Sequence, residues 1–486
     1  MKVLKFGGGC LRDAAGFKRA AALAASESPR PAVVVSAVYG VTDLLVNAVA
    51  AAVALKSADS AFIPALGGLH ARIAEEALKS RPLRPSVLRS IEAIGERADR
   101  LLRGIALVGE ASPAVRAQVL SCGERLAARL FAAVLESGGV PARVYETDVI
   151  GLAAECGHEE ASIDGEASGP VLAALRTEIE TGGFVPVFTG FFGRSPDGRV
   201  ATFGRNGSDY SAAAIARGLG AEAVEFWKDA DGFMTADPRW VPEARPIARL
   251  SSAAAAELSY FGSRILHPRV FEPLEGTDIS VRIRNFADPD RPGTDIVPGP
   301  IQTDPGALCA TANTDVAIVR VLGPGVGARP GVIGLVGSRL ARAGVNILTV
   351  LTAQTAINLL VERDDGEKSR LALAGTGEQA VRSVEVIDDT AIVAVVGNAF
   401  DRSPGIAGRF FAALERAGIN ALLVVGGASE SAVYGVVRRG EARPAVRALH
   451  AEFFPGPPAG ALRSATRAGR EGSVRLKPDG GLVSPV

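Results

Sequence analysis

Cysteine is scarce: Cys10, Cys122, Cys156 and Cys309 are the four among 486 residues, with no CxxC pair and no evident histidine partner. A disulfide framework or structural zinc site is therefore not expected, and reduced thiols in a cytoplasmic protein are the plainer reading. Aromatics make up 5% against 48% hydrophobic residues, so the cores must be built from Ala, Val, Leu and Ile. Neither sign of charge is in excess, with Lys+Arg and Asp+Glu at 53 each. Without a basic field, neither nucleic acid nor an anionic membrane surface is expected as a partner. The longest Ala/Val/Leu-rich run, Leu44–Leu55, is interrupted by Asn47 and is too short to span a membrane. The chain opens directly on Lys2-Val3-Leu4-Lys5-Phe6, which reads as a strand, so no signal or transit peptide is expected. The Gly-x-x-x-x-Gly-Lys-Ser/Thr signature is missing as well, which excludes a P-loop enzyme.

What is present is an α/β pattern: short β-branched runs alternate with Ala/Leu-rich amphipathic stretches around a mostly parallel sheet. Several predicted strands end in small-residue loops. Lys2–Phe6 runs into Gly7-Gly8-Gly9, Ala32–Ser36 into Ala37-Val38-Tyr39-Gly40, and Val185–Thr189 into Gly190. A hairpin turning at Pro196-Asp197-Gly198 returns through Val200–Phe203 into Gly204-Arg205-Asn206-Gly207-Ser208-Asp209, and Val224–Trp227 leads into Lys228-Asp229. Ligands in open α/β sheets bind beyond such strand ends.

Asp288–Gly306 is loaded with Pro, Gly and Asp and reads as the close of the first domain and a linker. An internal repeat follows. Ala317-Ile318-Val319-Arg320-Val321-Leu322-Gly323 matches Ala391-Ile392-Val393-Ala394-Val395-Val396-Gly397, and Ala343-Gly344-Val345-Asn346 matches Ala417-Gly418-Ile419-Asn420, at a spacing of 74 residues. Each copy suggests a small ferredoxin-like βαββαβ unit. The division expected is 1–298, 312–388, 389–455 and a mobile tail over 456–486.

Lys5-Phe6-Gly7-Gly8 puts a cation at a strand end beside glycines whose N–H groups can approach a phosphate. A plain tight turn explains it equally well. Gly204–Asp209 is more specific: arginine can clamp a carboxylate bidentately, and the following helix start favours negative charge. Capping by Ser208 and Asp209 is the competing explanation, but it leaves Arg205 and the paired glycines unaccounted for. Glu124, in the first turn of a helix running to Leu135, reads alone as a dipole-compensating surface residue. His267 reads as a helix-end cap. Gly323-Pro324-Gly325-Val326-Gly327-Ala328 fits a dinucleotide fingerprint in outline, but no acidic residue follows at the required distance, so it reads as a repeat-unit loop.

Together these segments resemble the aspartate kinases of the amino acid kinase family, most nearly the kinase half of the bifunctional aspartokinase–homoserine dehydrogenases. The resemblance is carried by Lys5–Gly8, Ser36–Thr42, Gly123–Arg125, Gly204–Ser211, Thr235–Arg239, Glu257–Gly262 and Ile265–Arg269, and it spans about residues 2–454. The repeats resemble the paired ACT domains of that family. About 30 tail-like residues follow them, too few for a dehydrogenase half.

The resemblance implies a three-layer sandwich with a mostly parallel sheet, followed by two ACT-type units. It implies transfer of the γ-phosphate of ATP, with Mg²⁺, to the β-carboxylate of L-aspartate, the first step toward lysine, threonine and methionine. Lys5 would neutralise the transferring phosphate and Asp209 would organise the lysine and the metal-bound phosphates. Arg205 would hold the substrate α-carboxylate and Glu124 its α-amino group, with Ser36, Thr42, Asn206, Gly207 and Ser208 completing the pocket. Gly7, Gly8, Gly9, Lys228, Asp229, Met234, Arg239 and Arg264 would contact ATP. Asn346, Ile347 and Asn420 fall where an amino-acid effector is bound, and the ACT-like units would form a homodimer or higher homo-oligomer. The nucleophile, a carboxylate with an ordinary pKa of about 3.9, needs no general base.

The sequence departs from the family pattern in four places. Gly9 and Cys10 stand where hydroxyl side chains usually follow the glycines, Val38 where a small or hydroxylated residue is common, Met234 where an aromatic is common and Arg264 where a lysine is expected. A catalytically weak regulatory paralogue, or a kinase for another acidic amino acid, are the alternatives.

Overall fold

The computed structural model describes residues 1–55, 62–78, 81–263, 265–299, 301, 306–374, 381–398, 400, 403–426 and 429–455. The expected tail and Arg264 therefore lie outside the described residues. The strands are β1 (Lys2–Phe6), β2 (Ala32–Val35), β3 (Ala142–Tyr145), β4 (Val185–Thr189), β5 (Phe192–Arg194), β6 (Val200–Thr202), β7 (Ala223–Lys228) and β8 (Arg249–Ser251). They continue as β9 (Ser280–Asn285), β10 (Thr294–Val297), β11 (Gly306–Leu322), β12 (Thr349–Ala353), β13 (Ala356–Glu362), β14 (Ser383–Asn398), β15 (Leu423–Val425) and β16 (Ala432–Arg438).

Eight of them form one sheet in the order β3-β4-β2-β1-β7-β9-β10-β8, and the β9–β10 pair alone is antiparallel. Helices cover both faces, which is why β2 and β4 read as unbroken buried apolar runs. On one face Phe6 stacks at 5.6 Å on Phe131 of the Cys122–Ser137 helix and at 6.2 Å on Trp227. The Arg84–Val108 helix adds a stripe of Val87, Ile91, Ile94, Ala98, Leu102 and Ile105, spaced to face one side, and ends at Gly109 with φ 79°. The Asp288–Gly306 stretch is less of a linker than its composition suggests. It contains β10, whose Thr294 and Ile296 are buried, and the sheet is incomplete without it. The hairpin at Pro196-Asp197-Gly198 is present as β5–β6.

β1 lies between β2 and β7, so chain connections leave it in opposite directions. Such a switch point opens a crevice at the strand ends, and there the loops after β1, β2, β4 and β7 converge.

The repeats build a second sheet, antiparallel throughout, in the order β12-β13-β11-β14-β16-β15. The first half of β11 pairs with the second half of β14, and the second half of β11 with the first half of β14. This sheet packs on the first region directly. Phe261 sits 4.6 Å from Tyr434, the Tyr260 hydroxyl donates to Leu348 O at 2.7 Å, and Thr235 Oγ1 meets His450 Nε2 at 3.0 Å. No helix among the described residues is long and apolar enough to cross a membrane.

Candidate active site

A cleft of about 800 Å³ occupies the switch point. Lys5, on β1, is buried at its floor. The chain then turns, with the N–H groups of Cys10 and Leu11 bonding back to Gly7 O, while those of Gly8 and Gly9 have no acceptor among the described residues. Two free donors beside a buried ammonium are anion-binding chemistry.

Asp209 sits opposite. Its helix, Gly207–Gly218, starts after Asn206 at φ 56° and has no side-chain cap, so neither Ser208 nor Asp209 plays the capping role that sequence alone allows. Asp209 instead pairs through Oδ1 with Lys5, and through Oδ2 with Lys228 at 2.7 Å. Burial works to raise its pKa, but Lys228 and Lys5 outweigh it and bring it to about 2. Burial pushes the Lys5 ammonium pKa down, with Asp209 opposing. The two cations thus share one carboxylate, which leaves net positive charge beside the glycine turn.

Glu124 is the second buried carboxylate. Its Oε1 accepts the Ala37 N–H at 3.1 Å, while Oε2 is buried without a hydrogen-bond partner among the described residues. Burial pushes its pKa up to about 8. The local sequence permits this approach because Gly123 carries no side chain: a Cβ there would lie 2.8 Å from Ala37 Cβ. Gly123→Ala is therefore expected to push the helix off the β2 loop and destabilise the protein by about 1–3 kcal/mol. A thermal melt superimposable on wild type would contradict that packing.

The cleft brings together most of the residues singled out from sequence. Gly7, Gly8, Gly9, Ser36, Thr42, Glu124, Arg205, Asn206, Gly207, Ser208, Asp209 and Lys228 all line it with Lys5. Arg205 is exposed and has no ion-pair partner among the described residues. Asp229 stands at the rim, 75% exposed and paired with Arg12. Met234 and Arg239 do not line the cleft, and Arg239 turns to Asp237 with 81% exposure. His267 caps the turn it precedes, accepting the Arg269 N–H. Asn346 is exposed after the Val332–Arg342 helix, beside Ile347; Asn420 lines a separate hollow with Phe411, Leu414 and Ile419.

Other lining residues are assigned no role by the sequence. Tyr39, Phe191, Glu159 and Glu160 also line the cleft. Among the described residues three non-glycine positions have positive φ, Glu160, Phe191 and Asn206, and all three lie here. Such backbone strain concentrates where a surface must be held in one shape. No composition signal marks the first two positions; each is held by tertiary contacts, as where Phe191 N donates to the Ser211 hydroxyl at 3.1 Å.

Comparison with known proteins agrees in both halves of the chain. Residues 1–285 match the amino acid kinase family model, and residues 393–453 match an ACT domain model. The chain is 31% identical to aspartokinase 1, chloroplastic, of Arabidopsis thaliana, with 97% of this chain and 84% of that one aligned. It is 32% identical to the bifunctional aspartokinase/homoserine dehydrogenase of Haemophilus influenzae, of which it spans 56% while 93% of this chain is aligned. E. coli aspartokinase III in complex with aspartate and ADP superposes with a TM-score of 0.81 at 26% identity, covering 93% of this chain and all of that one. The same enzyme in complex with lysine and aspartate gives 0.74.

Proposed function

Given that the chain belongs to the amino acid kinase family, we propose that it is an aspartate kinase, transferring the γ-phosphate of ATP to the β-carboxylate of L-aspartate to give 4-phospho-L-aspartate. One observation carries the reading: a single cleft holds a Lys–Asp–Lys cluster for phosphates and, beside it, a buried carboxylate oxygen without a hydrogen-bond partner among the described residues. The second feature calls for an ammonium group, and the substrate's α-amino group supplies it. Arg205 takes the α-carboxylate, with Ser36, Thr42, Asn206, Gly207 and Ser208 around it. The β-carboxylate is left pointing toward Lys5 and the glycine turn.

The nucleophile is ionised at neutral pH, so no base is required. The obstacle is repulsion between two anions, and catalysis consists of positioning and charge neutralisation by Lys5 and the Gly8 and Gly9 N–H groups. Asp209 and Asp229 are the carboxylates beside the turn that would face a nucleotide-borne Mg²⁺, which would supply further positive charge at the phosphates. Asp229, Met234 and Arg239 mark the direction of the nucleoside end. The cytoplasm, where ATP and free thiols coexist, is the working compartment. Hydroxylamine trapping with aspartate, glutamate and N-acetylglutamate tests the assignment. Hydroxamate from aspartate alone is expected, whereas its absence with aspartate would overturn the reading.

Glu124 gives the reaction a pH signature. Below about 8 the empty site holds a neutral carboxyl, while an ammonium binds its ionised form. Binding at lower pH must therefore expel a proton, and KM for aspartate should fall between pH 6 and 8 by up to about tenfold per unit, then level off. Glu124→Gln should raise KM and flatten the profile; a sloping profile in that variant would contradict the role.

The repeat region serves as an ACT-type regulatory part divided at 312–388 and 389–455, with an amino-acid effector near Asn346, Ile347 and Asn420. Self-association as a homodimer or higher homo-oligomer uses the same region. Its edge strands β12 and β15 expose Val350 and Val424 at equivalent repeat positions.

A further inference from the structure

The glycine turn lacks side-chain donors. Gly7, Gly8 and Gly9 have none, and the Cys10 thiol is turned inward to Trp227 O at 3.1 Å. The two ammonium groups behind the turn are both engaged with Asp209. One further cation lies on the outer side. Arg12 Nε donates to Gly9 O at 3.0 Å, and Nη2 reaches Asp229 Oδ2 at 3.4 Å. The guanidinium stacks 4.4 Å from the centroid of the cleft-lining Tyr39 ring. A Cβ on Gly9 would stand 3.7 Å from Asp229 Oδ2 and 3.8 Å from Arg12 Nη2, so the Arg12–Asp229 pair covers the face of the turn that a side chain at position 9 would occupy. Nη1 has no partner among the described residues.

Resting on the kinase reading above, we propose that Arg12 is a phosphate-binding residue of the nucleotide site, its guanidinium contacting the polyphosphate from the rim while Lys5 contacts it from the floor. The contacts on Gly9 O, Asp229 and Tyr39 fix the planar group in place before the nucleotide arrives, so little side-chain freedom is lost on binding. They also leave one edge of the fork unsatisfied. Charge supports the same assignment: Lys5, Lys228 and Asp209 together present a single net positive charge to a ligand that carries several negative ones. Arginine suits such a rim position, since it stays charged when half-exposed and can engage two oxygens at once.

Titration calorimetry on the full chain with ADP and with adenosine tests this, using Arg12→Ala, Arg12→Gln and Arg12→Lys. Glutamine places its amide nitrogen as many bonds from Cα as arginine Nε, so it retains the donor to Gly9 O but no charge. The Ala and Gln variants should each weaken ADP by about tenfold, the size of one charge-assisted contact at a partly exposed site. Adenosine affinity should hold within about twofold, and Lys should recover most of the ADP loss because it restores the charge. Unchanged ADP affinity in Arg12→Ala, or full recovery by Gln, would mean that Arg12 only braces the turn and would overturn the proposal. Arg12 is half-exposed, so all three variants should melt near wild type. Failure of the wild-type protein to bind ADP would refute the kinase reading instead, and the two failures are distinct.

Discussion

Asp209→Ala is expected to lower kcat by at least about 10³-fold and to remove about 3–5 kcal/mol of stability. Both losses have one cause. Asp209 is the anion that keeps Lys5 charged in a site where burial drives its pKa down, and it also anchors Lys228 at 2.7 Å. Without it, two cations are left facing each other across the floor of the cleft. The Lys5 pKa is then pushed further down, which weakens the charge that offsets the transferring phosphate. Asp209→Asn separates the two effects: similar shape and acceptor capacity should recover part of the stability but little of the rate. The acid side has a definite sign. The carboxyl pKa falls from 3.8 in the unfolded chain to about 2 in the fold. Its stabilisation is therefore complete above 3.8 and disappears as pH drops through 2. A steady-state kcat within tenfold of wild type in Asp209→Ala would contradict its bridging role.

Lys5→Met should lower kcat by about 10²- to 10³-fold while leaving the melting temperature close to wild type. Asp209 still has Lys228, and methionine fills a similar linear volume, so no buried charge loses its last partner. KM for aspartate should rise modestly at neutral pH, because Lys5 helps to hold the Glu124 carboxyl down and its loss disfavours the ionised form that binds the substrate ammonium. Lys5→Arg should not rescue the rate, because a planar guanidinium cannot occupy the space of an ammonium whose Nζ lies 3.5 Å from the Cβ position of Gly7. Rate assays and melts on the same preparations distinguish this outcome from misfolding. A near-normal rate in Lys5→Met would remove Lys5 from the catalytic account.

The parts of the architecture legible in the sequence are those coded locally. β1, β2, β4 and β7 are short β-branched runs ended by small residues, and the switch-point cleft follows from where such loops meet. The repeat was legible because a 74-residue spacing survives in Ala-Gly-x-Asn. What the sequence concealed depends on partners far apart along the chain. Arg12 finds Asp229, and the start of β11, composed like a loop, finds the end of β14. Glu124 read alone looks like an ordinary first-turn acid, and only the family resemblance gives it a role, since its burial depends on Gly123 closing against Ala37. Phe191 and Glu160 take a backbone conformation that neither residue type announces. Asp209 could be singled out, yet its two-lysine embrace could not, because Lys5 and Lys228 come from separate strands that meet only in the sheet.

The most direct test follows an oxygen atom. Aspartate labelled with ¹⁸O in its β-carboxylate is incubated with the enzyme, ATP and Mg²⁺, and the product is cleaved with hydroxylamine. Attack by the β-carboxylate on the γ-phosphorus makes a labelled oxygen the bridge of the acyl phosphate. Hydroxylamine then breaks the carbon–oxygen bond and releases phosphate carrying that oxygen. The account predicts one ¹⁸O in each phosphate released. Unlabelled phosphate would mean that water, not aspartate, receives the phosphoryl group, and would contradict it.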